Sequence, residues 1–402
     1  MARTWQVASR FGVAAGRMER RLLAYRDLVA EYGGRPSLPI TAVVLDRNPQ
    51  VARRLVESDV ELCVHGLIHT DMSRLKAETQ EEHIREALRL FAKHGIDSCG
   101  FRSPYLKYNA DTITAVEKLG FQYDSNLPFY WEPVESLSGL SPDEADGLKR
   151  GLQFYGPVRY PQERSLPRFT RGVVEIPVSL PDDEILLDRM GLPVARIGDV
   201  WMEMAGTALD RREMYIVQLH PERIFHIEKA LRRVLDFAKT GGGFWIATMK
   251  QIARWWVERV NAGVEAAPLS GDAYRVTLNG PAGLNVKIIE PLSGVTRSLG
   301  PGGEVRAAAK PLIGISQSAS RNFRRNIREL GYFYDITTDR DAYSLYLEGE
   351  ISMDELQPSI TRCPNPLLVD SRWPEPFEAA IAITGDIDCL TLGDFIRRFR
   401  EG

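Results

Sequence analysis

Parallel βα units carrying a smaller α+β region are the architecture this sequence predicts, and three observations lead there. Between residues 17 and 260, short apolar runs alternate with segments of helical periodicity, the pattern of a parallel sheet with helical crossovers. Near Gly263 the pattern changes to period-two alternation with Asn-Gly and Gly-Gly turns. Close to the end of the sequence, an apolar strand over 379–384 runs straight into two acids, Asp386 and Asp388.

Residues 17–32 place Met18, Leu22, Leu23, Tyr25, Leu28, Val29 and Tyr32 at threes and fours, so a helix is expected, stopped by Gly33 and Gly34. The apolar run at 40–45 reads as a strand, 49–57 as a helix and 61–64 as a strand. The segment VHGLIHTDM then brings in His65 and His69. A helix over 78–94 closes at Gly95, 100–102 is a short strand, 111–119 is a helix closed by Gly120, and 121–123 begins another strand. Residues 132–172, rich in Pro and Gly with weak periodicity, are expected to form a long loop walling a cleft. Strands at 173–178, 214–219 and 244–247, with helices at 199–209, 222–239 and 249–260, complete this part. In the middle region 273–278 and 284–289 alternate as antiparallel strands, while 311–316, 322–330 and 343–347 read as a small βαβ-like unit. A helix over 391–400 follows the last strand, and the expected division is 1–262, 263–365 and 366–402.

Bulk properties narrow the function classes. The chain has 402 residues, 44% hydrophobic and 26% charged, an ordinary globular composition. A net charge of −3 gives no bulk attraction to nucleic acid or anionic lipid, and the basic runs at 17–21 and 321–328 read as solvated helix faces. Cys63, Cys99, Cys363 and Cys389 show no C-x-x-C spacing, so neither a zinc knuckle nor a disulfide framework is expected. No continuous apolar stretch marks the first 21 residues and no run of 18 apolar residues occurs, so a cytoplasmic protein without a transmembrane segment is expected. No G-x-S-x-G elbow or Walker loop supports serine-hydrolase or nucleotide chemistry.

Five stretches sit at the ends of predicted strands: His65 with His69, Arg102 to Tyr105, Tyr123-Asp124, Leu219-His220, and Asp386 with Asp388. In a parallel barrel all five converge on one rim. Imidazoles four residues apart on a helical turn lie on one side, about 5–6 Å apart at Cβ. Two imidazoles and a carboxylate suit zinc or a similar divalent ion with positions left open. A second carboxylate can then serve as general base, and a histidine across the site as general acid. The plainer alternatives are that Asp386 and Asp388 cap the helix beginning near Thr391 and that His220 is a structural strand-end residue. Glu175 is placed at the cleft, whereas Asp182 and Asp183 are expected to be solvent-exposed. Phe129, Tyr130 and Trp131 read equally as a sugar-stacking platform or a packing cluster. His83, His94 and His226 are not placed for a site.

This set resembles the polysaccharide deacetylases of the NodB-homology type, carbohydrate esterase family four, over roughly 17–260 and 372–400. His65 and His69 match the family's H-(S/T)-x-x-H motif with Gly66 at the hydroxyl position, and Arg102 to Tyr105 match R-x-P-Y unchanged. The resemblance implies a distorted (β/α) barrel and a divalent metal, zinc first, held by His65, His69 and Asp388. It makes Asp386 the base, His220 the acid, Arg102 the group orienting the base, and Asp124 a partner tuning His220 or Arg102. Tyr105 would donate its backbone N–H to the oxyanion, with Pro104 and Leu219 at the substrate. The family's first motif, Thr-Phe-Asp-Asp, finds its match in Thr384-Gly385-Asp386-Ile387-Asp388, at the far end of the chain and with the acids one residue further apart. A circular permutation, with the region 263–365 joining the original ends, is therefore expected in preference to a strand completing a neighbouring chain's barrel.

The implied activity is metal-dependent removal of an N-acetyl or similar group from an amino sugar or polysaccharide precursor. Two other readings are a metal-poor cyclic amide hydrolase of the allantoinase-like kind and a non-catalytic glycan-binding scaffold. The expected partners are an acylated sugar or glycan and no nucleic acid, and a homo-oligomer is compatible with the sequence.

Overall fold

The structure, a computed structural model, describes residues 11–300 and 302–401; residues 1–10, part of the N-terminal stretch read for a leader, lie outside them. The chain divides into two compact units, Met1–Arg254 with Glu378–Gly402, and Trp255–Phe377. The breaks fall at 254/255 and 377/378, where the composition shift had suggested 262/263 and 365/366.

The first unit is built on a curled, nearly all-parallel sheet, a half-barrel of the (β/α) kind. Its strand order is Met214–Leu219, Ala379–Gly385, Ser37–Ile40, Glu61–Val64, Gly100–Phe101, Tyr123–Asp124, Val173–Glu175 and the antiparallel Arg168–Thr170. Phe244–Ile246 also pairs with Ala379–Gly385. The strand read near the end of the sequence thus lies inside the sheet, with neighbours on both sides. Met214 to Leu219 run in register with Ala380 to Gly385, and Ser37 pairs with Thr384. Its seven residues are all buried, as a strand covered on both faces requires. The hydrogen-bonded path does not close between Val173–Glu175 and Met214–Leu219. Near that seam Ser179 Oγ accepts from Ile216 N–H at 3.1 Å and from Trp131 Nε1–H at 2.9 Å.

Two expectations are corrected here. The apolar run 40–45 is not a strand: the strand is Ser37–Ile40, and the chain then turns into the helix Ala42–Arg47. A short apolar run carries no period that separates the two states. Nor is 132–172 only a loop, because Pro142–Tyr155 is a helix. Ser141 and Glu144 cap it reciprocally and Pro142 occupies its first turn. Gly147 and Gly151 weaken its apolar stripe for a packing reason. A Cβ on Gly147 would lie 2.3 Å from Arg189 O, and one on Gly151 would lie 2.9 Å from Ile185 Cγ1, so the helix seats against the turn Glu184–Arg189 only with glycine at both. Phe129, Tyr130 and Trp131 are buried, which resolves them as a packing cluster.

In the second unit, Lys310–Ile315 pairs in parallel with Tyr334–Ile336 and Tyr343–Leu347, and the helix Arg321–Glu329 lies between the first two in sequence. Antiparallel pairing joins Gly263–Pro268 to Ala273–Asn279 and Val286–Glu290 to Val295–Leu299. The buried Asp370 carboxylate accepts from Arg259 and Arg328, each at 2.7 Å, so its charge is compensated inside the core.

Candidate metal centre and catalytic cleft

Reactive side chains reach one cavity because each follows the C-terminal end of a parallel strand. His65 follows Glu61–Val64, His220 follows Met214–Leu219, and Asp386 follows the last residue of Ala379–Gly385. The cavity, about 370 Å³, is lined by His65, His69, Tyr105, Gln218, His220, Asp386 and Asp388 among others. The wider spacing of the two acids has a simple cause. Ile387 is buried and bridges Ile40, and in extended chain residues two apart share a face, so Asp386 and Asp388 both turn to the cavity.

His65, His69 and Asp388 each offer a ligand atom within 4.8 Å of the others. Asp388 Oδ1 stands 3.5 Å from His65 Nε2 and 3.1 Å from His69 Nε2. His65 Nδ1 lies 2.9 Å from Arg102 O. A carbonyl only accepts, so Nδ1 carries a proton and Nε2 is the ring nitrogen turned toward Asp388. Burial pushes His69 down to about 4 even against the opposing pull of Asp388, so its ring is neutral at neutral pH, the form that binds metals. Among the described residues, Asp388 Oδ1 is buried without a hydrogen-bond partner. An orphaned buried carboxylate oxygen facing two imidazole nitrogens fits a divalent ion held between them. Gly66 explains the departure from a hydroxyl residue. Its φ is +74°, and a Cβ there would lie 3.0 Å from Ile68 O and 3.2 Å from Pro104 Cγ.

Asp386 is 4% exposed, and Arg102 is fully buried beside it. Arg102 Nη1 donates to Asp386 Oδ1 at 2.8 Å and to Thr384 Oγ1 at 2.9 Å, while Nη2 donates to Ser125 Oγ at 2.8 Å. Gln218 Nε2 donates to the other Asp386 oxygen at 3.1 Å. Across the cavity, His220 Nδ1 lies 2.8 Å from Asp183 Oδ1, and its backbone N–H donates to Asp183 Oδ2 at 2.9 Å. Arg223 Nη1 also donates to Asp183 at 2.8 Å. Burial would lower the His220 pKa, but the adjoining Asp183 carboxylate overrides it and holds the imidazole well above its ordinary value. Burial likewise opposes ionisation of Asp183, yet Arg223 and His220 keep it below the usual carboxylate range.

Four of the residues that the resemblance assigns to the site do not join this lining. Pro104 and Leu219 are buried in the walls, and Arg102 reaches the site through Asp386. Asp124 pairs with neither His220 nor Arg102. It accepts from Asn126 Nδ2 at 2.8 Å, and Asn126 Oδ1 accepts from the Ser103 N–H at 2.6 Å, so Asp124 supports the turn after Arg102. Burial first, then Glu175, push Asp124 well above the usual carboxylate range. Glu175 does not face the cleft either, because its Oε1 is taken by the Asn126 and Leu127 N–H groups. Asp182 and Asp183, expected at the surface, are buried. They follow the buried strand Val178–Leu180, a strand-then-acids pattern like the one read at Asp386. Asp386 and Asp388 do not cap the last helix; Thr391 and Asp394 hydrogen-bond reciprocally at its start. Gln218, Asp183, Arg223 and Arg398 are site residues that sequence reasoning missed.

Residues 25–123 match the family model described as Polysaccharide deacetylase. A curated relative, a peptidoglycan deacetylase-like protein of Gibberella zeae, is 30% identical over 171 residues, 42% of this chain and 48% of the relative. The chain therefore spans about half the length of the curated relative it matches. Among solved structures, a probable polysaccharide deacetylase from Pseudomonas aeruginosa PAO1 is 20% identical, covering 60% of this chain and 72% of that one, with a TM-score of 0.44. The allantoinase Puue is 19% identical over the same shares, also with a TM-score of 0.44. The resemblance to NodB-type polysaccharide deacetylases read from the motifs is borne out by the family and curated matches.

Proposed function

We propose that this chain, a relative of the NodB-type polysaccharide deacetylases, is a metal-dependent deacylase removing an N-acetyl or similar group from an amino sugar in a glycan or glycan precursor. The observation that carries the reading is the convergence of His65, His69 and Asp388 beside two prepared proton-transfer groups, Asp386 on Arg102 and His220 on Asp183. A cyclic amide hydrolase that works without metal has no use for such a cluster.

A divalent ion, zinc in the first instance, would polarise the acyl carbonyl and acidify the attacking water. Asp386 takes the proton of that water, with Arg102 and Gln218 fixing the direction of its carboxylate. The Tyr105 backbone N–H donates to the oxyanion from a turn with φ +59°. His220, held as imidazolium by Asp183, gives its proton to the departing amine nitrogen. Asp124 acts as a support for the Arg102 turn, outside the chemistry.

A circular permutation is part of the same reading. It is supported by the family match at 25–123 lying upstream in sequence of a strand, Ala379–Gly385, that pairs with Ser37–Ile40 in space. The alternative, a strand donated to a neighbouring chain, leaves that pairing without a purpose.

The test is acetate release from N-acetylated chito- and peptidoglycan oligosaccharides by the purified chain. Release is expected with added Zn2+ and lost on chelation. No release from any acylated amino sugar by the zinc-loaded protein would overturn the proposal. The pH profile adds a second check. Because Asp183 raises the His220 pKa, the acid form persists above pH 6.5, and activity should fall only well above that value. In Asp183→Asn burial and the nearby Arg223 act against only the smaller pull of Glu222, so the alkaline limb of kcat/KM should move to lower pH by about a unit or more. An unmoved limb would remove His220 from the acid role.

A further inference from the structure

The last helix, Leu392–Glu401, brings a cation to the cluster. Arg398 Nη1 donates to Asp388 Oδ2 at 2.7 Å, and Nη2 donates to Tyr105 Oη at 2.8 Å. The guanidinium also lies 5.2 Å from the Tyr105 ring centroid, and that ring meets His69 edge-on at 4.3 Å. Asp388 is thus divided between two demands. Oδ2 is taken by Arg398, and Oδ1 alone faces His65 and His69.

Resting on the reading of His65, His69 and Asp388 as a metal centre, we propose that Arg398 is a positioning residue. It makes Asp388 a one-oxygen ligand, weakens the cluster's hold on the ion while sharpening the ion's electrophilicity, and ties that ligand to the Tyr105 turn. A guanidinium one carboxylate away from a divalent cation repels it, in a partly buried place where water screens less than in bulk. It also draws electron density from the carboxylate, so the ion receives less charge from its ligand. Tyr105 adds a conformational tie. At φ +59° this residue occupies a region that L side chains enter at a cost, so something outside its own backbone preference must hold it. Its ring and hydroxyl are held by His69 and Arg398. The helix is anchored in turn by Thr391 and Asp394 at its start, with Asp394 also accepting from Asn48 Nδ2 at 3.3 Å.

Zn2+ affinity, measured by competition with a chromophoric chelator, separates this role from a merely structural one. Arg398→Ala should bind Zn2+ about tenfold or more tightly than the wild type, because the like charge behind Asp388 is gone. Its kcat for acetate release should nevertheless fall, with KM little changed. Arg398→Lys returns the charge and should bring the affinity back toward the wild-type value, while recovering kcat only in part because one ammonium cannot hold both partners. Affinity in Arg398→Ala that is equal to or weaker than wild type overturns the proposal. A wild-type chain that binds no Zn2+ instead sinks the metal-centre reading itself, so the two failures are distinguishable.

Discussion

The double substitution His65→Ala, His69→Ala is expected to abolish both Zn2+ binding and acyl hydrolysis, with turnover falling on the order of 10³-fold or more. Two of the three ligand atoms disappear, and Asp388 Oδ1 alone cannot hold an ion against water. The fold should survive. His65 gives up its contact with Arg102 O, worth about 1 kcal/mol, and the rest of its surroundings are strand ends anchored by backbone pairing. Circular dichroism and a denaturation curve check the fold, while metal analysis and acetate release check the site. Hydrolysis that persists in the folded double variant would mean the chemistry runs without this cluster.

Arg102→Ala carries the second large effect, and its reach is wider. Arg102 is wholly enclosed, and its guanidinium joins Asp386, Thr384 and Ser125 across three strand ends. Truncation leaves the Asp386 carboxylate buried with Gln218 as its remaining donor among the described contacts. Breaking one partner of a buried ion pair costs about 3–5 kcal/mol, because the surviving charge stays desolvated. Turnover should fall as well, by on the order of 10²-fold, since the base loses the group that aims it. The combined variant Arg102→Ala, Asp386→Asn should cost less stability than the sum of the two single changes, because no lone charge remains. Urea denaturation of the metal-free proteins measures this. A loss below about 1 kcal/mol in Arg102→Ala would show that the pair is not the keystone proposed.

What was legible in the sequence shares one property: a local pattern with one structural outcome. His65, Arg102 and His220 sit just after short apolar runs, and the structure places each directly after a strand, with His69 in the bend that follows His65. The strand at 379–384 was legible because an unbroken apolar run fits a strand covered on both faces, and the structure extends it by one residue to Gly385. What was not legible depended on distant partners. Asp183 sits among Asp182 and Glu184, which reads as a solvated acidic turn until Arg223 and His220 close over it. Arg398 lies on an amphipathic helix rich in arginine, where a charge is ordinarily solvent-facing, and only Asp388 and Tyr105 in space mark it out. Asp124 misled for the opposite reason. Its place at a strand end matches the pattern, yet Asn126 and Glu175 turn it to structural use. The helix Pro142–Tyr155 was signalled by its capping box, but Gly147 and Gly151 blunted the periodicity on which the reading relied.

In the proposed centre, the imidazoles of His65 and His69 and the carboxylate of Asp388, more than 300 residues on, hold one ion. X-ray absorption at the zinc edge, on protein reconstituted with one equivalent of Zn2+, measures it most directly. The account predicts a single bound ion with two imidazole nitrogens at about 2.0–2.1 Å and a carboxylate oxygen at about 2.0–2.2 Å, the signal vanishing in His65→Ala, His69→Ala. A zinc environment without imidazole, or one that the double variant leaves unchanged, would contradict it.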